Sequence, residues 1–321
     1  MHSKRIFVVG SLNIDLVMRV ERLVRAGETL AGSDLVLIPG GKGANQVCAA
    51  AKLGGKAIMI GQLGSDAFAD PLLFSLQNAG VDTSGVARDA CSTGAACISV
   101  LPGGENAILI SPGANARVTP EIALSRLQHL DAGDLVLLQL EIPLPTVHAV
   151  LRHATQRGAI SILDPAPAQS LPPELLAHVT YLTPNESEAC LLLNLHESTI
   201  STFEQAAGIA SQLRALGPKA VILKLGKLGC FLATESFTGA IAGFTVDAID
   251  TTAAGDTFNG AFAVALAEGM ALEDAAQFAN AAAALSVTRL GAQSSIPDRQ
   301  EVTGFLNSAS KPAKEMQSAC S

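Results

Sequence analysis

Residues 134–164 read DLVLLQLEIPLPTVHAVLRHATQRGAISILD. The run 134–140 is apolar at consecutive positions rather than alternate ones, so as a strand it is buried on both faces. Residues 145–157 then follow a helical period, and 159–164 (AISILD) return to a continuous apolar run. Strand, helix and strand of this kind make a right-handed crossover in a parallel sheet. The same rhythm extends in both directions. Strands are expected at 5–10 (RIFVVG), 56–61 (KAIMIG), 179–182 and 219–225 (KAVILKL). Helices are expected at 44–53 (ANQVCAAAKL), 67–79, 186–194, 202–216, 255–268 and 273–289, with a further strand-like run at 243–249 (GFTVDAI). The predicted class is α/β, with a central mainly parallel sheet sandwiched by helices.

Two stretches break the rhythm. Residues 14–38 and 91–110 alternate apolar and polar positions around Gly turns (IDLVMRVERL, AACISVLPGGENAILI). They predict a small antiparallel β-sheet lid, discontinuous in sequence; the alternative is an edge extension of the main sheet. One domain over 4–306 is expected, and 307–321 (NSASKPAKEMQSACS) lacks apolar periodicity and is expected to be a disordered tail.

Of the 321 residues, 49% are apolar and 16% charged, which excludes disorder as the general state. Lys and Arg number 21 against 29 Asp and Glu, a net charge of −8. Neutralising nucleic-acid phosphates needs clustered cations, so no nucleic-acid partner is expected. Trp is absent and Tyr occurs once, which leaves no aromatic platform for bases. Cys48, Cys91, Cys97, Cys190, Cys230 and Cys320 form no C-x-x-C and no zinc spacing. They read as reduced thiols, mostly buried, in a cytoplasmic protein. Asp15 interrupts the apolar start, so no secretory signal is read there, and no apolar run approaches the ~20 residues of a membrane span.

Four segments carry the chemistry. In DTTAAGDTFNG (250–260), the small residues Ala253, Ala254 and Gly255 precede a helix, so N–H groups and helix dipole together make an anion hole. Asp256 at its edge can accept a hydroxyl proton; its alternative is a helix N-cap. In PGGKGAN (39–45), Gly41 and Gly43 let backbone approach a polar ligand, Lys42 offers donors, and Asn45 offers both donor and acceptor; the alternative is a plain glycine turn. In GSLNID (10–15), Asn13 and Asp15 share one face of an extended segment, where a carboxylate can accept from two sugar hydroxyls, or they are turn residues. In TPNESE (183–188), Asn185 and Glu188 form a cap pair or place a carboxylate near a phosphate-bound Mg²⁺. Asp164, in DPAP, reads as a loop start.

Together these segments resemble the ribokinase-like (PfkB) family of carbohydrate kinases, from about Lys4 to Phe305. The resemblance implies an α/β sandwich whose β-sheet lid forms a homodimer, and transfer of the ATP γ-phosphoryl group to a sugar hydroxymethyl oxygen. Asp256 matches the family's catalytic base, and Ala253, Ala254 and Gly255 its anion hole. Asn13, Asp15, Gly41, Lys42, Gly43, Asn45 and Glu141 match the sugar-binding segments. Asn185 and Glu188 match the motif serving nucleotide phosphate and Mg²⁺. Lys224, Gly226 and Gly229 (KLGKLG, 224–229) match a loop lining the nucleotide, and Asn280 a position beside adenine. Asp250, Thr252, Ser286, Arg289, Gly291 and Ser295 match a monovalent-cation site, usually K⁺, several of them through backbone carbonyls. Ala253 stands where many members have Gly. Lys224 stands where ribose-phosphorylating members often have Thr, and it either reaches a phosphate or points away. Within the family, the Asn13/Asp15 pair and a lid poor in aromatics resemble the members that act on ribose, and that resemblance implies ATP-dependent phosphorylation of D-ribose at O5. The alternatives are 2-deoxyribose, fructose or adenosine as acceptor, or a non-catalytic sugar-binding regulatory protein.

Overall fold

The computed structural model describes residues 4–195, 200 and 202–309. Chain order begins β1 (Arg5–Val9), β2 (Asn13–Arg19), β3 (Val36–Gly40), α1 (Lys42–Lys52), β4 (Lys56–Leu63), α2 (Ala69–Asn78), β5 (Asp82–Arg88), β6 (Gly94–Val100) and β7 (Asn106–Ser111). It continues with α3 (Pro120–Arg126), β8 (Leu135–Leu138), α4 (Leu144–Arg157), β9 (Ile160–Leu163), α5 (Pro173–Leu176), β10 (Tyr181–Leu182), α6 (Glu186–Leu192) and α7 (Phe203–Ala215). The last elements are β11 (Ala220–Lys224), β12 (Gly229–Ala233), β13 (Thr238–Ala242), α8 (Ala254–Ala267), α9 (Leu272–Ser286) and α10 (Arg299–Ala309).

Nine strands form one sheet in the order β13-β12-β11-β10-β9-β8-β1-β4-β5. All neighbours are parallel except β11–β12 and β12–β13. The continuous apolar strands serve both faces. Ile6 and Val8 enter one core with α1, α2, α8 and α9, while Phe7 and Val9 enter another with α3, α4, α6 and α7. In the first core α1 and α8 touch backbone to backbone: a methyl group on Gly260 would lie 2.7 Å from Gln46 O and 2.6 Å from Ala49 Cβ.

The two alternating segments build a separate four-stranded sheet, β3-β2-β6-β7. Its outer pairs are antiparallel, and its central pair β2–β6 is parallel. That direction follows from both strands starting at one end of the sheet, where Asn13 lies opposite Gly94.

Some expectations need correction. The run 243–249 is not a strand; the chain leaves the sheet after Ala242, and Phe244 packs on Phe305 of α10 with ring centroids 5.0 Å apart. Helix α10 continues to Ala309, into the stretch expected to be tail, and 310–321 lie outside the described residues. Cys48, Cys190 and Cys230 are buried, Cys97 is exposed, and Cys320 is outside the described residues. No helix among the described residues is long and apolar enough to cross a membrane.

Candidate active site

Strand β1 is where the sheet order reverses, with β4 on one side and β8 on the other. In open α/β sheets such a point opens a crevice beyond the carboxyl ends of the strands. The loop after β1, Glu141 after β8, Asp164 after β9, Asn185 and Glu188 after β10, and Lys224 closing β11 all belong to that edge. Helices α1 and α8 start there.

Gly41 caps α1 at φ 93°, a left-handed conformation, and a methyl group on it would lie 2.7 Å from Asn13 N. Only glycine meets both demands. This close approach lets the Lys42 N–H donate to Glu141 Oε2 at 3.1 Å, beside donors from the Ser11 hydroxyl and Asn13 Nδ2. Asn13 is held further by Asn115, whose Nδ2 donates to Asn13 Oδ1 at 2.7 Å. Asp15 lies on β2 of the small sheet, its carboxylate against Gly40. Burial pushes Asp15 up to about 7, and the charge of Glu141 adds to the effect.

Asp256 is not an N-cap. Helix α8 is preceded by Ala253 in the left-handed conformation (φ 58°) with no side-chain cap, and Asp256 occupies the first turn. It is 5% exposed. Asn45 Nδ2 donates to its Oδ2 and Gln46 Nε2 to its Oδ1, each at 3.0 Å. Burial raises it to about 6; Lys42 and the two amides oppose the rise, and Asp164 adds to it. The Ala254 N–H turns back to Thr251 O at 3.3 Å, whereas the N–H groups of Gly255 and Asp256 have no acceptor among the described residues. They are two unused donors at the positive end of a helix dipole. Asn45 Oδ1 is likewise buried without a partner.

Asp164 is far from a bare loop start. It is 3% exposed, accepts from Lys224 Nζ and Gln46 Nε2 at 3.0 Å each, and thereby joins β9, β11 and α1. Lys42 carries the second cation of the cleft. Burial works against its charge, but Asp256, Asp164, Glu141 and Glu188 outweigh burial and raise its pKa. The cap pair expected at 185–188 is present: Asn185 Oδ1 accepts from Glu188 N, and Glu188 Oε2 accepts from Asn185 N, both at 2.8 Å. Burial raises Glu188, against the opposing charge of Lys224. Each Glu188 carboxylate oxygen accepts one bond from Asn185, which leaves acceptor capacity on both. No cluster of three or more His, Cys, Asp or Glu among the described residues makes a metal cage. This donor set fits a Mg²⁺ that arrives on phosphates and meets the protein through water.

Around Asp250 the chain folds tightly. The Ile249 and Asp250 N–H groups donate to Val287 O, and Gly291 N donates to Asp250 Oδ2 at 2.9 Å. Burial works to raise Asp250, but bonds from Thr252 and Gly291 prevail and hold it below its ordinary value. The Ser286 and Ser295 hydroxyls donate to Ala283 O and Ala292 O, and Arg289 reaches away to Glu301. The Ser286 carbonyl also accepts from Arg289 N at 3.2 Å. Gly226 and Gly229 bracket a helical turn between β11 and β12 at φ 53° and 97°. Asn280 donates to Ile241 O and Ala242 O, which ties its amide to the end of β13.

Ser11, Gln46, Asn115, Gln139 and Asp164 are site residues that the sequence reading passed over. Gln46 directly follows Asn45 in a glycine-introduced helix start, and that proximity was its one available signal. Nothing in the local sequence marks Asn115 or Gln139, which reach the cleft only through tertiary contacts.

The profile of the pfkB family of carbohydrate kinases matches residues 3–299. A ribokinase of Bacillus subtilis is 41% identical over 304 residues, 95% of this chain and all of that one. The crystal structure of a Thermotoga maritima ribokinase superposes with a TM-score of 0.84 at 42% identity, covering 95% of this chain and 99% of that one. An Arabidopsis thaliana ribokinase complexed with ribose and ATP superposes with a TM-score of 0.87 at 36% identity, again over 95% and 99%.

Proposed function

The chain belongs to the pfkB family of carbohydrate kinases, and from that premise we propose that it phosphorylates D-ribose at O5 with ATP, giving D-ribose 5-phosphate. The observation that carries this reading is Asp256, a buried carboxylate fixed by two amides beside two unused N–H groups at the start of α8.

Asp15 and Asn13 read adjacent sugar hydroxyls, and the orphan acceptor Asn45 Oδ1 takes a further hydroxyl proton donor. The hydroxymethyl oxygen then faces Asp256. As that oxygen bonds to the γ-phosphorus, its proton passes to Asp256 and the bond from phosphorus to the bridging oxygen breaks, leaving its electron pair on ADP. The N–H groups of Gly255 and Asp256 hold the charge on the transferring group. Glu188 would help hold a phosphate-bound Mg²⁺, which would neutralise phosphate charge. Carbonyl groups around Asp250 would hold K⁺, which would supply positive potential beside the hole. Binding in the cleft excludes water, which otherwise competes as acceptor.

The same reading makes the protein a cytoplasmic homodimer that binds neither nucleic acid nor membrane. The lid carries the dimer: Leu35, Val36 and Leu37 on one edge and Ile108, Leu109 and Ile110 on the other are exposed apolar residues.

The test is ADP release with Mg²⁺–ATP and D-ribose, 2-deoxyribose, fructose or adenosine, each with and without K⁺. Turnover on ribose, stimulated by K⁺, is expected. Preference for another acceptor replaces ribose in the reading, and no turnover on any of them favours a sugar-binding regulatory protein.

A further inference from the structure

We propose that Lys224 is a catalytic residue of the phosphoryl transfer, held ready by Asp164 and drawn onto the transferring group. The proposal deepens the kinase reading above and rests on it. Three observations carry it.

The first is position. A methyl group on Gly255 would lie 3.2 Å from Lys224 Nζ, so the ammonium group stands beside Gly255 in the first turn of α8, the turn whose Gly255 and Asp256 N–H groups are unused. The second is economy of contacts. An ammonium has three donors, and among the described residues Lys224 spends one, on Asp164 Oδ1 at 3.0 Å. The third is the holder. Asp164 is itself fixed by Gln46 Nε2, the group that also fixes Asp256, so the cation and the base are referenced to one amide. The Lys224 side chain is 12% exposed and that of Asp164 3%, so their attraction is little screened.

A buried ion pair of this kind is often not stabilising on balance, because both charges lose their water. A use beyond stability accounts for its place. When the γ-phosphoryl group enters the hole, its equatorial oxygens meet the two free ammonium protons. Lys224 stays protonated throughout: it accepts and releases no proton, and the hydroxyl proton still goes to Asp256. Its contribution is charge at the point where charge is transferred.

A structural role predicts something different. If Lys224 serves only to neutralise Asp164, removing both charges together repairs what removing one breaks. The experiment therefore compares Lys224→Met, Lys224→Arg and the double variant Lys224→Met/Asp164→Asn. Steady-state kinetics with ribose, calorimetric binding of Mg²⁺–ATP and of ADP, and thermal melting are measured on each. The expected result is that Lys224→Met lowers kcat about 100-fold or more. Its ADP affinity stays within threefold and its ribose KM within threefold. Lys224→Arg recovers at least a tenth of the lost rate, and the double variant regains the melting temperature without regaining kcat. A Lys224→Met enzyme with kcat within threefold of the wild type overturns the proposal. So does a double variant whose kcat returns with its stability. Should the wild type turn over another acceptor instead of ribose, the same comparison is made with that acceptor. If it turns over none, the kinase reading fails, while the Mg²⁺–ATP and ADP affinities still show whether Lys224 meets the γ-phosphoryl group.

Discussion

Gln46 donates to Asp256 across a separation of 210 residues, at 3.0 Å, and with the same Nε2 donates to Asp164 Oδ2. Two buried carboxylates are thus held apart by one neutral amide, which is itself anchored where Gln139 Nε2 donates to Gln46 Oε1 at 2.6 Å. Replacing it by Leu removes the shared donor and leaves the two carboxylates without it. Gln46→Leu is expected to lose at least ~10-fold in kcat and ~2 kcal/mol in stability. Denaturant unfolding and ADP release check both, and an unchanged rate would separate Gln46 from the base.

The assignment of Asp256 predicts a split between chemistry and binding. Asp256→Asn keeps a side chain of the same size but cannot take a proton. Its kcat is expected to fall about 10²–10⁴-fold, the range for loss of a general base. Ribose affinity, measured by calorimetry, is expected to survive. Near-normal turnover would sink the assignment.

Two raised carboxylates give the pH dependence its sign. In the proposed reaction Asp15, pushed up to about 7, reads hydroxyls as an anion, and Asp256, pushed up to about 6, takes a proton only when ionised. On ribose, kcat/KM is therefore expected to fall as pH drops below 7, steepening to about two decades per unit well below 6. Stability runs the other way. A carboxyl whose folded pKa lies above its unfolded value binds protons more tightly in the fold, so these two groups cost stability as pH rises from about 4 through 7. Asp15→Asn should raise the melting temperature at pH 8 more than at pH 5. A gain of equal size at both pH values would contradict the raised pKa.

The exposed lid edges make a prediction about assembly. Leu109 is 77% exposed at the centre of an apolar strand edge. Leu109→Glu should shift the protein from dimer to monomer in sedimentation velocity. A wild type that sediments as a monomer at micromolar concentration would remove the lid interface.

The alternation of buried strands and helices was legible because both faces of the sheet demand apolar residues, as Leu135 to Leu138 show. The edges were less so. Strand β13 has every second residue exposed, and β5 exposes both its ends, so neither carries a continuous apolar run. Asp256, Asn45 and Gly41 were readable because each sits in a local motif whose backbone alone suggests a ligand. Asp164 was not, because two prolines in its loop offer a sufficient local explanation. Its pairing with Lys224 joins residues 60 positions apart, which no short motif encodes.

The contact of Gly260 with the backbone of α1 has a consequence for how this enzyme can change. Side chains normally cushion two helices and let them slide; here Gln46 O and Ala49 meet the bare backbone of α8. The amides that grip the carboxylate and the helix that carries it are one casting, so the gap between acceptor and base is set at folding. A new acceptor is therefore easiest to acquire by redrawing the small sheet that bears Asp15, and directed-evolution libraries confined to that sheet should yield altered acceptor range with far fewer dead clones than libraries placed on α1 or α8.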